Sequence, residues 1–168
     1  NLLQWAQSQI MGIVVNPINF SVKETILDTV NFLKQFLEAK KLSIDIDVPA
    51  NLQAYADENH IKLICRNIIT NAIKFSYPEA CIYIKANNIE NNVVQIAIKD
   101  EGVGMKPETV LHLFNPLKIS SNYGTSNEKG TGLGLQLCKE FLEKNNGKIE
   151  VTSELSKGST FTFAIPTA

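Results

Sequence analysis

The sequence predicts an α+β fold: a two-layer α/β sandwich, with three helices on one face of a mixed, mostly antiparallel sheet. Three observations carry that expectation. Residues 57–76 read as one amphipathic helix, with Ile61, Ile64, Cys65, Ile68, Ala72 and Phe75 on a single apolar stripe. Two further stretches, 21–39 and 132–146, repeat the helical period with one apolar side each. Alternating segments come in pairs, 81–86 with 93–99 and 148–153 with 159–166, joined by turn residues as hairpins are. Helices and strands that are each apolar on one side must bury those sides against one another.

The elements follow in chain order. Residues 1–12 begin with a helical pattern, Leu3, Ala6 and Ile10 on one side, broken by Gly12. Pro17 and Phe20 bracket a short extended segment. Ser21 is a good N-cap with Glu24 three residues on, and the helix it opens is expected to run to about Ala39. Its core stripe would be Ile26, Leu27, Val30, Leu33, Phe36 and Leu37, with Lys40 and Lys41 at its negative dipole end. Residues 42–48 alternate as a strand that Pro49 ends, and 53–56 form a short strand leading to Asp57, the cap of the central helix.

Ser76, Tyr77 and Pro78 close that helix. Asn91 and Asn92 mark the first hairpin's turn. In the second strand of that hairpin Val94, Ile96, Ile98 and Asp100 share one face, so Asp100 ends the core-facing row and points inward, where a carboxylate needs a donor. An Asp capping the following turn is the plainer alternative. Residues 107–114 form a short helix, and 115–129 are a polar loop, long for a compact domain. The last helix is expected over 132–146, with Leu133, Leu137, Phe141 and Leu142 inward and Gly147 as its stop. Ile149 and Val151 then face Phe161, Phe163 and Ile165 across a hairpin at Lys157 and Gly158.

Bulk properties narrow the function. A net charge of −1 gives no broad field for nucleic acid or an anionic membrane, so no nucleic-acid partner is expected. Three cysteines without metal-ligand spacing point to a reduced, cytoplasmic setting and read as small hydrophobes. No apolar run approaches the ~18 residues of a membrane span, and no signal pattern opens the chain. It starts in a helical pattern without Met, as a piece of a longer protein would.

Three stretches carry chemistry. Asn67, Asn71 and Lys74 form a polar stripe beside the apolar one on the central helix. Amide oxygens suit a hydrated Mg²⁺ and an ammonium suits the phosphates that accompany it; a solvated helix side is the plain alternative. Gly130, Thr131, Gly132, Leu133 and Gly134 sit where a loop enters a helix, and backbone N–H groups unshielded by side chains there make an anion site. Lys129 precedes them. The pattern GxxxxGK[ST] is absent, so this is not a P-loop. Asp100, Gly102 and Gly104 form the third stretch, its glycines permitting close backbone approach.

In this order the three stretches resemble the ATP-binding half of sensor histidine kinases of two-component systems, within the superfamily that includes gyrase, the mismatch-repair ATPases and an ATP-dependent chaperone. The asparagine box is similar to Asn67 through Ser76, and the two glycine boxes to Asp100-x-Gly102-x-Gly104 and Gly130-Thr131-Gly132-Leu133-Gly134-Leu135. The resemblance implies a Bergerat-type ATP-binding fold with the nucleotide between the layers. It implies that Asp100 accepts from the adenine amino group, that Phe75 packs near the base, that Thr160 lies near it, and that Asn71 holds Mg²⁺. Phe114 and Pro116 are similar to the family's phenylalanine box, with Leu117 where a second Phe is usual.

The resemblance further implies that residues 1–12 end a dimerisation helix and linker, and that 13–168 are the catalytic domain. Hydrolysing members of the superfamily carry a Glu where Asn67 stands. An amide cannot take a proton at neutral pH, so the γ-phosphoryl is expected to be kept for a histidine on a separate dimerisation domain. His60 and His112 lack the acceptor context. The implied partners are that phospho-acceptor domain of the same kinase and a downstream response regulator. The implied parent is a homodimeric kinase, compatible with inner-membrane attachment through segments outside this chain. A regulatory nucleotide-binding or docking module is the alternative from another class; a general ATPase is disfavoured by Asn67.

Overall fold

The computed structural model describes residues 13–89, 92–115, 124–126 and 132–167. In chain order these form β1 (Ile18–Ser21), α1 (Val22–Phe32), α2 (Lys34–Ala39), β2 (Ser43–Asp47), β3 (Gln53–Ala56), α3 (Glu58–Phe75), β4 (Cys81–Ile89), β5 (Val93–Lys99), α4 (Pro107–His112), α5 (Gly134–Lys144), β6 (Lys148–Glu154) and β7 (Gly158–Pro166). The main sheet has the order β2-β4-β5-β7-β6. β2 runs parallel to β4, with Ser43 opposite Cys81, and the other pairs are antiparallel. β1 and β3 pair separately, antiparallel, with Ile18 opposite Ala56. No helix among the described residues is long and apolar enough to cross a membrane.

α3 is the spine of the helical layer. Asp57 caps it, accepting from the backbone N–H groups of Asn59 at 3.1 Å and His60 at 3.3 Å. Its stripe of Ile61, Ile64, Cys65, Ile68 and Ala72 is buried as the period predicts, whereas Phe75 at its end is only half-buried. α1 packs on one flank, α5 on the other, and the inward rows of β5 and β7 lie beneath. Those rows are Val94, Ile96 and Ile98 on β5 and Phe161, Phe163 and Ile165 on β7, all buried, with Phe163 opposite Ile96. The sandwich therefore stands as expected, with α1, α3 and α5 as its three helices.

Several local expectations are corrected. The helix from Ser21 is not continuous to Ala39. Ser21 does cap it, accepting from the Glu24 N–H at 3.3 Å, but it breaks at Leu33, whose φ of −95° and ψ of 4° leave the α region. The break re-aims the second piece. Ile26, Leu33 and Leu37 are buried, whereas Leu27 and Phe36 face solvent, Phe36 at 61% exposure. Lys40 does not serve its own helix end; it reaches across to α3. At the end of α5 the left-handed residue is Asn146, with φ of 56°, not Gly147. Gly147 instead donates to Leu142 O at 2.7 Å and Asn146 to Glu143 O at 3.2 Å, a Schellman closure. α5 begins at Gly134 rather than 132, so Leu133 precedes the helix and is only half-buried. Asn92 has the positive φ expected of the first hairpin turn; Asn91 lies outside the described residues, as does most of the polar loop.

Candidate functional site

One wall of the site is the end of β5. Asp100 follows Ile98 in the inward row and is 3% exposed. Its backbone N–H extends the β5–β7 ladder to Ser159 O at 2.9 Å. The Ser159 N–H returns a bond to Asp100 Oδ1 at 3.3 Å. Burial pushes the carboxyl up to about 6, against the opposing pull of the Ser159 and Gly102 backbone N–H groups. A carboxylate has about four acceptor positions, so it keeps capacity for a further donor.

The glycines around Asp100 close the backbone around it. A Cβ on Gly102 would lie 2.1 Å from Phe75 O. That closeness lets Val103 N donate to Phe75 O at 3.1 Å and lets Gly102 bridge to Ser76. Gly104 takes φ of 62°, and its Cβ would lie 1.9 Å from Glu154 O. The Asp-x-Gly-x-Gly stretch thus ties the end of β5 to the C-terminus of α3 and to the β6–β7 hairpin. Beside this junction the Ser76 hydroxyl is fully buried with no partner among the described residues.

The second wall is the polar stripe of α3. Asn67 and Asn71 are half-buried and Lys74 is buried. Asn67 Nδ2 donates to Leu63 O at 3.1 Å, which holds the amide with its oxygen toward the start of α5. A Cβ on Gly134 would sit 2.8 Å from that Oδ1, so the start of α5 is seated directly on the stripe. The N-cap position of α5, Leu133, offers no side-chain cap, and Gly132 has φ of 72°, a conformation that disfavours any other residue. The helix start most suited to an anion and the amide oxygen most suited to a cation therefore face each other. Lys74 Nζ lies 4.6 Å from the Phe75 ring centroid, a cation–π contact.

The C-terminus of α3 is held from outside. Lys40, itself buried, donates through Nζ to Ile73 O at 2.8 Å and Lys74 O at 2.9 Å. Thr125 donates from its N–H to Lys74 O at 3.1 Å and from Oγ1 to Ser76 O at 2.7 Å. Residues 124–126 are thereby seated beside Lys74 and Phe75. Neither Lys40 nor Thr125 carries a sequence signal; both act by long-range contact.

Asn67, Asn71, Lys74, Phe75, Asp100, Gly102, Gly104, Gly132, Leu133 and Gly134 are gathered on or beside α3, through the approaches of Gly134 to Asn67 and of Gly102 to Phe75 and Asp100. Thr160 is not. Side chains alternate along a strand, and Ser159, Phe161 and Phe163 form the buried row of β7, which turns Thr160 to the opposite face of the sheet. The hydroxyl beside Asp100 is that of Ser159, which counting back by twos from Phe163 would have found. Lys129, Gly130, Thr131, Pro116 and Leu117 lie outside the described residues. His60 is a packing residue, stacked on Phe141 at 4.2 Å with burial lowering its pKa. Burial pushes the Cys65 thiol up to about 12 and raises that of Cys138, as fits inert hydrophobes. Among the described residues no three His, Cys, Asp or Glu side chains cluster as a metal site, so a cation here would rest on amide oxygens and on the ligand's own.

Known proteins share this fold. The adaptive-response sensory kinase SasA of Prochlorococcus marinus (strain MIT 9215) is 32% identical over 154 residues, which cover 90% of this chain and 41% of that protein. The chain thus spans about two-fifths of the length of that relative. The isolated catalytic domain of histidine kinase ThkA superposes with a TM-score of 0.78 at 23% identity, over 90% of this chain and 96% of that one. ThkA in complex with the response regulator TrrA gives 0.79 at 20% identity, over 99% and 45%. Full-length ShkA in complex with AMPPNP gives 0.83 at 23% identity, over 99% and 34%. The profile of histidine kinase-, DNA gyrase B-, and HSP90-like ATPases matches residues 56–168, so the chain belongs to that family and is an ATP-binding domain.

Proposed function

We propose that this chain is the catalytic domain of a sensor histidine kinase, which binds Mg-ATP and passes its γ-phosphoryl group to a histidine on the dimerisation domain of the same kinase. ATP supplies the transferable phosphoryl. Asp100, ionised, accepts from the adenine amino group, with Phe75 beside the base. Asn71, with the amide oxygen of Asn67, holds Mg²⁺. Lys74 offers a point charge to the phosphates, and the backbone N–H groups of Gly132, Leu133 and Gly134 cradle them, with Lys129, Gly130 and Thr131 completing that loop. The buried Ser76 hydroxyl, without a partner among the described residues, fits a polar ligand here.

The observation that carries the kinase reading over hydrolysis is Asn67. Its amide is committed to Leu63 O and has no basic group to activate water. The residue can orient but cannot take a proton. A response regulator is the downstream partner in this reading, as TrrA is found with ThkA, and the domain itself is cytoplasmic.

The test is label transfer from γ-labelled Mg-ATP. The 168-residue chain alone should not label itself, because His60 is packed against Phe141 and His112 ends a surface helix. It should label the dimerisation domain of its parent kinase when that is added in trans. Acid-labile phosphate on His60 or His112, or rapid hydrolysis with no transfer, refutes the reading.

A further inference from the structure

Ser153, on β6, joins three polar groups. The Met105 N–H donates to its Oγ at 2.8 Å. The same Oγ lies 3.0 Å from Gly158 O and 2.9 Å from Ser159 Oγ. A serine hydroxyl has one proton and two acceptor lone pairs. Met105 N–H can only donate and Gly158 O can only accept, so these two fix the rest. The Ser153 proton goes to Gly158 O, and its remaining lone pair receives the Ser159 hydroxyl proton. The reverse arrangement would leave the Gly158 contact without a hydrogen.

The consequence falls on Ser159. Its hydroxyl proton is spent on Ser153, so its oxygen offers only lone pairs. It is buried in the inward row of β7, and its backbone is bonded to Asp100 in both directions. An ionised carboxylate is likewise acceptor-only. The backbones of the two strands approach closely here, since a Cβ on Gly158 would lie 2.0 Å from Asp100 O. Asp100 and the Ser159 hydroxyl oxygen therefore both present lone pairs on this wall.

We infer that Ser153 is a positioning residue that locks the Ser159 hydroxyl proton away from the ligand, so that the Asp100–Ser159 wall selects a 6-amino purine over a 6-oxo purine. A 6-amino group donates to such a wall, whereas a 6-oxo group sets a lone pair against lone pairs. The inference rests on the reading of Asp100 as the base-recognition end of the site.

Calorimetric affinities of the chain for Mg-ATP and Mg-ITP, which differ at purine position 6, test it. Ser153→Ala frees the Ser159 proton to turn toward a 6-oxo group, and the ATP-to-ITP affinity ratio should fall about tenfold, the equivalent of one good hydrogen bond. Ser153→Thr, which keeps the hydroxyl, should hold the ratio, and Ser153→Val, its isostere without one, should lose it. That pair serves if Ser153→Ala melts too low to assay. A merely structural Ser153 would weaken both nucleotides alike and leave the ratio unchanged, which overturns the inference. On a Ser159→Ala background Ser153→Ala should change the ratio no further; a full second drop also overturns it. If the unaltered chain binds both nucleotides equally, or neither, the assignment of Asp100 to the base fails first and takes the inference with it.

Discussion

Asp100 illustrates what a single residue costs and gains. Its folded pKa of about 6 stands above the ordinary aspartate value of 3.8. The folded domain therefore holds this proton more tightly than the unfolded chain, and stability falls as pH rises from about 4 to about 6. At neutral pH the buried carboxylate costs on the order of 3 kcal/mol. A 6-amino donor favours the ionised form, so ATP affinity should fall about tenfold per pH unit below about 6, where the carboxyl must first lose its proton. Asp100→Asn should weaken ATP and remove this component of the pH profile; calorimetry at pH 5 and pH 7.5 on both proteins measures it, and parallel profiles refute the assignment. Asn71→Ala should in turn weaken Mg-ATP at least tenfold while sparing metal-free ATP; equal losses would remove Asn71 from the metal site. Asp100 was legible because strand parity is a strict rule and Val94, Ile96 and Ile98 count it out. The same rule, applied from Phe161, exposes the Thr160 expectation as one residue off: the family likeness pointed to a hydroxyl near Gly158, and only the face of β7 tells Ser159 from Thr160.

At the scale of elements, α3 was legible whole because eighteen residues give five turns of pattern and a capping Asp. The break at Leu33 was not, since no Gly or Pro marks it and the period continues across it. Nor was the switch from Gly147 to Asn146, because Asn also tolerates the left-handed region while Gly147 serves a different need: its Cβ would meet Ala164 O at 2.5 Å. The cap on the far end of α3 was likewise hidden. Lys40 looked like the end of its own helix, yet its ammonium satisfies the last carbonyls of another. Lys40→Met keeps the length of the stem and removes the charge, leaving Ile73 O and Lys74 O without that donor. The loss should be about 1–3 kcal/mol, a drop of about 5 °C in Tm at this chain length. Because Lys74 and Phe75 sit on the released turn, Mg-ATP should weaken as well. A thermal melt and one titration check both, and an unchanged Tm would show that the Lys40 contacts contribute nothing.

For the whole molecule, local pattern gives hairpins and helices but not which strand lies beside β4. The parallel pairing of β2 with β4 and the separate β1–β3 ribbon join residues far apart in sequence, and no period encodes them. What the sequence did carry was convergence: three stretches that are distant in the chain meet along α3, with Gly134 against Asn67 and Gly102 against Phe75. The cleft draws on both layers, α3 and α5 from the helices and the ends of β5 and β7 from the sheet. A ligand that spans it binds only the assembled sandwich. Nucleotide binding should therefore stabilise global unfolding by RT ln(1 + [L]/Kd), about 2.7 kcal/mol at a hundredfold excess over Kd, and raise Tm by about 5–10 °C. Chelating Mg²⁺ at constant ATP should take back most of that rise, because the Asn67/Asn71 wall then loses its bridge to the phosphates. If ATP instead met only the helical stripe, the sheet side would contribute nothing and Asp100→Asn would leave the ligand-induced shift intact. A melt of Asp100→Asn with and without Mg-ATP separates the two arrangements: a shift equal to that of the unaltered chain refutes the two-layer site.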